Sequence, residues 1–254
     1  MVLGKGPDLR QLIGALRTRG GVFESHGEEV STRPFITISR QAGAGGHTLA
    51  RGLVERLNRL AHSSMSVEDS TSGAQPWQSF DRELVERIGR DHHLSTELIE
   101  SLERSSHTWL EEFFRGLGHT DSRVPGELAI VRRAAQTIRA LAQGGYVVLV
   151  GLGGVFITHN MPGGIHIRVV APLEARVQWE VKSRNITEKQ ARREIEIMDA
   201  ERDAFFRKYW PNKQLAPELF HIALNSGMMN EEQMVDCVLP LVKPLIAGSR
   251  TVVH

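Results

Sequence analysis

The chain has 254 residues, enough for one α/β domain with insertions, or a domain plus a small lid, around a substantial core. With 41% hydrophobic residues, 24% charged residues and a net charge of +1, it gives no electrostatic case for nucleic acid or an anionic membrane as partner. A lone cysteine, Cys237, excludes an intrachain disulfide and a multi-cysteine metal site. No apolar run approaches the roughly 20 residues of a membrane span, and no compact apolar signal region precedes the first strand. The expectation is a soluble, cytoplasmic α/β protein.

Residues 1–34 read as an N-terminal appendage, in which Leu9, Leu12, Ile13 and Leu16 share a face of a short docking helix that Gly20-Gly21 ends. Phe35, Ile36 and Ile38 then supply the β-branched and aromatic run of a buried strand. Gly43, Gly45 and Gly46 make a turn after it, and Leu49, Leu53, Val54 and Leu57 recur at helical spacing. A glycine turn between a strand and a helix N-terminus favours a phosphate, because unpaired amides and the helix dipole converge there.

The segment 61–79, rich in Ser with Gly, Pro and Gln, reads as an exposed loop. Ser79-Phe80-Asp81 leads into a helix with Leu84, Val85 and Ile88 inward, and Asp81 is either an N-cap or a ligand-side carboxylate at the sheet's edge. Ser95 caps the next helix. Trp109, Leu110, Phe113 and Phe114 form an aromatic stripe, read as core, with a substrate wall as the alternative. A long helix runs from about Gly126 to Ala142 and ends at Gly144-Gly145.

Tyr146 to Val150 is an apolar run suited to a parallel strand covered on both faces, and Gly151-Leu152-Gly153-Gly154 follows it. Ile165 to Ala171 is another strand, followed by Pro172 and a helix through Arg176 to Lys182. Thr187 and Gln190 form a capping box opening a charged helix that reaches about Tyr209. Leu219 to Leu224 is the last strand, and Asn230 caps a terminal helix. Strands alternating with helices imply a parallel sheet with right-handed crossovers. The histidines, His92-His93 included, lack the carboxylate or cysteine spacing of a transition-metal site.

Strand, glycine loop and helix, then Phe80-Asp81, the glycine turn at 151–154, Val170-Ala-Pro-Leu-Glu-Ala-Arg176, Asp199-Ala-Glu-Arg202 and His221-Ile-Ala-Leu-Asn-Ser226 occur together in order. The ensemble resembles the cytidylate kinase-like family of P-loop nucleoside monophosphate kinases over roughly residues 34–246. The resemblance implies a three-layer α/β fold with a five-stranded parallel sheet of order 2-3-1-4-5. It divides the chain into the appendage, a kinase-like domain over 35–246 and a tail at 247–254, with an acceptor-side helical insertion at about 82–123 and a helical lid at about 183–210. It further implies ATP and Mg²⁺, transfer of the γ-phosphoryl group to a nucleoside monophosphate or similar small acceptor, and no nucleic acid or membrane partner. On this pattern Arg40, Gln41, Ala42, Gly43, Ala44, Gly45, Gly46, His47 and Thr48 cradle the donor, with Thr48 also on the metal side. Asp81, Gly151 and Gly153 flank the acceptor. Arg40, Arg176 and Arg202 are the catalytic cations, and Arg176, Arg184, Arg192 and Arg202 belong to or border the lid.

The chain departs from the signature G-x-x-x-x-G-K-[ST]. Anchored on the strand, Arg40 stands at the first glycine and Gly46 at the lysine; sliding by one residue puts His47 at the lysine and Gln41 at the first glycine. Either register loses the ammonium arm. His47 is short and only partly protonated near neutral pH, whereas Arg40 is placed either to swing over the loop or to remain a surface charge. Thr48 is either a ligand hydroxyl or a helix cap. Where relatives carry an arginine after the first glycine of the 151–154 turn, this chain has Leu152. A nucleotide-binding module without transfer is therefore the alternative, and a regulatory protein or homodimer working through the appendage and aromatic helices is a third reading.

Overall fold

The computed structural model describes residues 33–63, 76–81, 126–151, 153–211 and 213–249. In chain order these form β1 (Phe35–Arg40), α1 (Gly46–Ser63), β2 (Gln78–Phe80), α2 (Gly126–Gly144), β3 (Val147–Val150), α3 (Gly154–Thr158), β4 (Gly164–Val170), α4 (Leu173–Arg184), α5 (Glu188–Tyr209), β5 (Ile222–Asn225) and α6 (Glu231–Ser249). The appendage helix, the helix capped by Ser95, the aromatic stripe and the 82–123 insertion lie outside the described residues. No described helix is long and apolar enough to cross a membrane.

The strands pair in parallel in the order β2-β3-β1-β4-β5, with Phe35 beside Val147 on one side and Gly164 on the other. Period-two alternation divides the core between the two faces. Ile36, Ile38, Val148, Ile165 and Ile167 pack against Leu49, Leu53 and Leu57 of α1 and Val235 and Val238 of α6. Phe35, Val147 and Leu149 pack on the other face with Ile138 and Leu141 of α2, Phe156 of α3 and the aromatic end of α5. Leu53 and Leu57 are almost fully buried, which is worth about 1.5–3 kcal/mol for each. Both faces of the central strands are covered, as their apolar composition requires.

Two stretches differ from the sequence reading by more than two residues. The last strand starts at Ile222, because Pro217–Leu219 forms a 3₁₀ turn and Leu219 and Phe220 pack into the aromatic side of the core. Within the expected 61–79 loop, α1 continues to Ser63 and Gln78–Phe80 forms β2, a strand too short and too exposed at Ser79 to show an apolar run. The caps fall where the residues put them. Thr187 Oγ1 accepts from the Gln190 N–H at 3.2 Å, and Asn230 and Gln233 satisfy each other's backbone N–H groups at 2.9 Å.

A buried histidine sits under the middle of the sheet. His166 Nδ1 is hydrogen-bonded to Thr37 Oγ1 at 2.7 Å, and its backbone N–H donates to His221 Nδ1 at 3.1 Å. Burial, helped by the His221 and His159 charges, pushes its imidazole down to about 4. The unfolded chain therefore binds a proton that the folded chain refuses. The stability is complete above pH ~6.5 and falls as pH drops from there toward about 4, by about 3 kcal/mol in all. Thermal melts should show this acid loss in the wild type and a shallower slope in His166→Gln.

Candidate active site

β1 ends at the carboxyl edge of the sheet, and its last peptide groups stay tied to β4. The Gln41 N–H donates to the Val169 carbonyl at 3.1 Å, and Gln41 Oε1 accepts from the Ala171 N–H at 3.0 Å. The loop then turns through left-handed backbone at Gly43 and Gly45, φ 69° and 75°. A Cβ at Gly45 would meet nothing within 4 Å, so that glycine answers to backbone conformation rather than to space. Among the described residues the N–H groups of Gly43, Gly45, Gly46, His47 and Thr48 find no acceptor within the chain. Amides gathered at the N-terminus of an 18-residue helix make an anion cradle.

Arg40 lies across this cradle. A Cβ on Gly46 would sit 2.8 Å from Arg40 Cγ and 3.0 Å from Arg40 Cβ, so the arginine's stem fills the space where a side chain at 46 would begin. Its guanidinium reaches the turn after β3, where a Cβ on Gly151 would run into it. Glycine at the signature's lysine position and arginine at its first glycine are thus two halves of one arrangement.

Arg176 lies against the loop, engaged through Nε and Nη1. Its Nε donates to the Ala171 carbonyl at 3.1 Å, and its Nη1 to the Ala42 carbonyl at 3.0 Å and to Asp199 Oδ2 at 2.5 Å. Asp199 Oδ1 in turn accepts from the Ala42 N–H at 2.8 Å. This clamp fixes the loop to α4 and α5 through Arg176, the residue the resemblance implied as a catalytic cation. Ala42, Val177, Ala191 and Ile195 close a small apolar cluster behind it. The expected lid region, 183–210, is the end of α4 and the whole of α5. Arg184 and Arg192 pair there with Glu194 and Glu174, at 2.5 and 2.6 Å.

Arg202, on α5, reaches back to the Arg40 carbonyl at 3.4 Å. His47, on the exposed side of the first turn, is held below its ordinary value by partial desolvation and by the Arg40 and Arg202 charges, against an upward pull from Asp81. A downward shift takes the ring further from lysine's charge. Arg40, His47, Asp81 and Arg202 are therefore electrostatic neighbours around one loop. Thr48 is half-buried in the first turn of α1. Gly153, φ 69°, lies beneath the Trp210 ring, which a Cβ would approach to 2.7 Å. Leu152 lies outside the described residues.

Between the carboxyl ends of β1, β3 and β4 and the helices α2, α3 and α5 lies a cavity of about 420 Å³. Ser39, Arg40, Arg168, Glu201 and Arg202 give it a polar end, and Val131, Ala134, Phe205, Phe206, Tyr209 and Trp210 an apolar one. The sequence reading passed over Arg168 and the aromatic end of α5. Arg168 had a signal: a charge inside a central strand contradicts the apolar run expected there. The aromatic residues had none, because they follow a long charged helix face.

A family model described as the cytidylate kinase-like family matches residues 77–228. Among solved structures, an uncharacterized protein from Eubacterium ventriosum superimposes with a TM-score of 0.61 at 19% identity, covering 84% of this chain and 99% of its own. Shikimate kinase from Bacteroides thetaiotaomicron superimposes with a TM-score of 0.43 at 12% identity, over 83% and 98%. Among curated proteins, a uronate isomerase from Corynebacterium glutamicum is 27% identical over 100 residues, which are 39% of this chain and 19% of that protein. The chain thus spans about a fifth of that relative. The sheet order with the glycine loop after β1 is a P-loop kinase fold.

Removing Asp199 leaves the buried Arg176 guanidinium without its counter-charge and frees the Ala42 N–H. Asp199→Ala should lower unfolding stability by about 2–4 kcal/mol in urea titrations, with a smaller loss in Asp199→Asn, which keeps an acceptor. Restoring the signature's lysine alone should fail. Gly46→Lys collides with the Arg40 stem and should destabilise by about 1–3 kcal/mol, and the double variant Arg40→Gly, Gly46→Lys should recover most of that in the same titration.

Proposed function

The chain belongs to the cytidylate kinase-like family, and from that premise we propose that it moves the γ-phosphoryl group of ATP, with Mg²⁺, to a nucleoside monophosphate, cytidylate first. The observation that carries this reading is the row of loop amides without an acceptor among the described residues, with the Arg40 stem crossing over them and its guanidinium at the neighbouring turn after β3. That donor set suits a polyphosphate, since backbone N–H groups and a guanidinium match phosphate oxygens in charge and geometry. The domain runs over 35–246, with the acceptor on the side of Asp81, Gly151 and Gly153. Its partners are small molecules in the cytoplasm.

The chain's own residues do most of what phosphoryl transfer needs. The loop from Gln41 to Thr48 holds the donor phosphates, the Thr48 hydroxyl faces the metal side, and the Arg176–Asp199 clamp keeps the loop in shape. Arg40 and Arg202 converge where charge develops on the transferring group. The metal, when bound, neutralises charge on the phosphate oxygens. The aromatic end of α5 keeps water from the reacting atoms.

A second reading, a nucleotide-binding module without transfer, is favoured by Gly46 standing where the lysine would be. Thermal shift with ATP and Mg²⁺ tests binding, and coupled ADP release with a panel of nucleoside monophosphates tests transfer. Saturable stabilisation together with ADP release supports the kinase. Stabilisation without release on any acceptor supports the module, and no stabilisation removes both. Arg40→Ala should weaken ATP binding about 10- to 100-fold, and unchanged affinity would remove Arg40 from the site.

A further inference from the structure

Arg168 occupies the middle of β4, which lies between β1 and β5 in the sheet. Its strand neighbours Ile167 and Val169 are fully buried against α1 and α6. The alternating face carries His166 and Arg168, and Arg168 pairs in register with Ser39 of β1. Both residues line the cavity, so Arg168 forms part of its floor next to the start of the phosphate loop.

This guanidinium has no hydrogen bond or ion pair among the described residues. Burial pulls its pKa down, and the Arg202 charge adds to that, while Asp199 and Asp203 pull it up without approaching to ion-pair distance. Asp199 is already shared by Arg176 and the Ala42 N–H. A guanidinium cannot shed its proton near neutral pH, so partial desolvation is a standing cost unless an anion offsets it. Among the described residues that line the cavity, Arg168, Arg202 and Arg40 share one end with the carboxylate of Glu201.

The other end is shaped for a ring. Phe205, Phe206, Tyr209 and Trp210 pack as edge-on and tilted neighbours, with centroids 4.8–6.5 Å apart. The small side chains Ala134 and Ala135 of α2 leave the space opposite them open. A cavity of about 420 Å³ is within the usual range for small-molecule sites.

We propose that Arg168 is an acceptor-binding residue: with Arg202 it holds the phosphate of a planar-ring phosphomonoester, whose ring lies on the α5 aromatic wall. This assignment rests on the kinase reading of the same site and extends it to residues outside the phosphate loop. The monophosphate so held lies beside Arg40, on the loop side of the cavity.

The test is calorimetric titration of the full chain with the four nucleoside monophosphates, ribose 5-phosphate, cytidine and inorganic phosphate, alongside ATP–Mg²⁺. At least one monophosphate should bind, at least about tenfold tighter than ribose 5-phosphate or the free nucleoside. Arg168→Ala and Arg168→Gln should each lose about tenfold or more for that monophosphate, with ATP affinity and melting temperature held. Phe206→Ala should weaken the monophosphate and leave ribose 5-phosphate unchanged. Wild-type monophosphate affinity in both Arg168 variants overturns the assignment, as does the failure of every monophosphate to bind. Ribose 5-phosphate binding as tightly as the monophosphate overturns the ring's part. The two readings part cleanly: Arg168-dependent binding without ADP release removes transfer and keeps Arg168, and ADP release indifferent to Arg168 does the reverse.

Discussion

Two side chains cannot occupy the space over the start of α1, and that exclusion organises the site. The methylene stem of Arg40 lies where a residue at 46 would place its Cβ, and its guanidinium lies where a residue at 151 would place its own. Glycine at both positions is therefore a condition for the arginine's path across the loop. A lysine projecting from the first helical turn reaches phosphate on a flexible arm. An arginine crossing from the end of the strand arrives from the opposite direction, packed along its length, with a planar fork in place of a point charge. Less side-chain freedom remains to be lost when a ligand arrives.

The cradle is also held from outside. Asp199 joins α5 to the loop through the Ala42 N–H and to α4 through Arg176, so segments distant in sequence meet on one carboxylate. Arg176 adds the Ala42 and Ala171 carbonyls. The loop's polar groups thus divide into two sets. Those at Gln41 and Ala42 and the Ala44 N–H are satisfied by the protein, and the N–H groups of Gly43 and of Gly45 to Thr48 are left open among the described residues. That division keeps an anion site open while the backbone around it stays rigid.

The fold was legible because its signals are local. Apolar runs at Phe35–Ile38 and Val147–Val150, glycines at their ends, and the Thr187 and Asn230 caps each state their element without reference to the rest. β2 was less legible, since three residues with one exposed carry no period, and Leu219-Phe220 looked strand-like while serving the aromatic core. At the site, the loop showed itself through its glycines. The partners of Arg176 did not, because a salt bridge to a residue 23 positions away and a carbonyl 134 away leaves no trace in spacing. Arg168 was visible as an anomaly in an apolar strand, but an anomaly acquires a meaning only when the cavity above it is seen.

One helix serves both halves of the site. α5 touches the glycine loop at its middle through Asp199, reaches the Arg40 carbonyl through Arg202, and ends in the aromatic wall of the cavity. A shift of α5 on either side would be carried along a single rod of 22 residues. On the proposed reading, donor and acceptor would be thermodynamically linked through it. Whatever factor the first contributes to the affinity of the second, the second must return to the first, whichever arrives earlier.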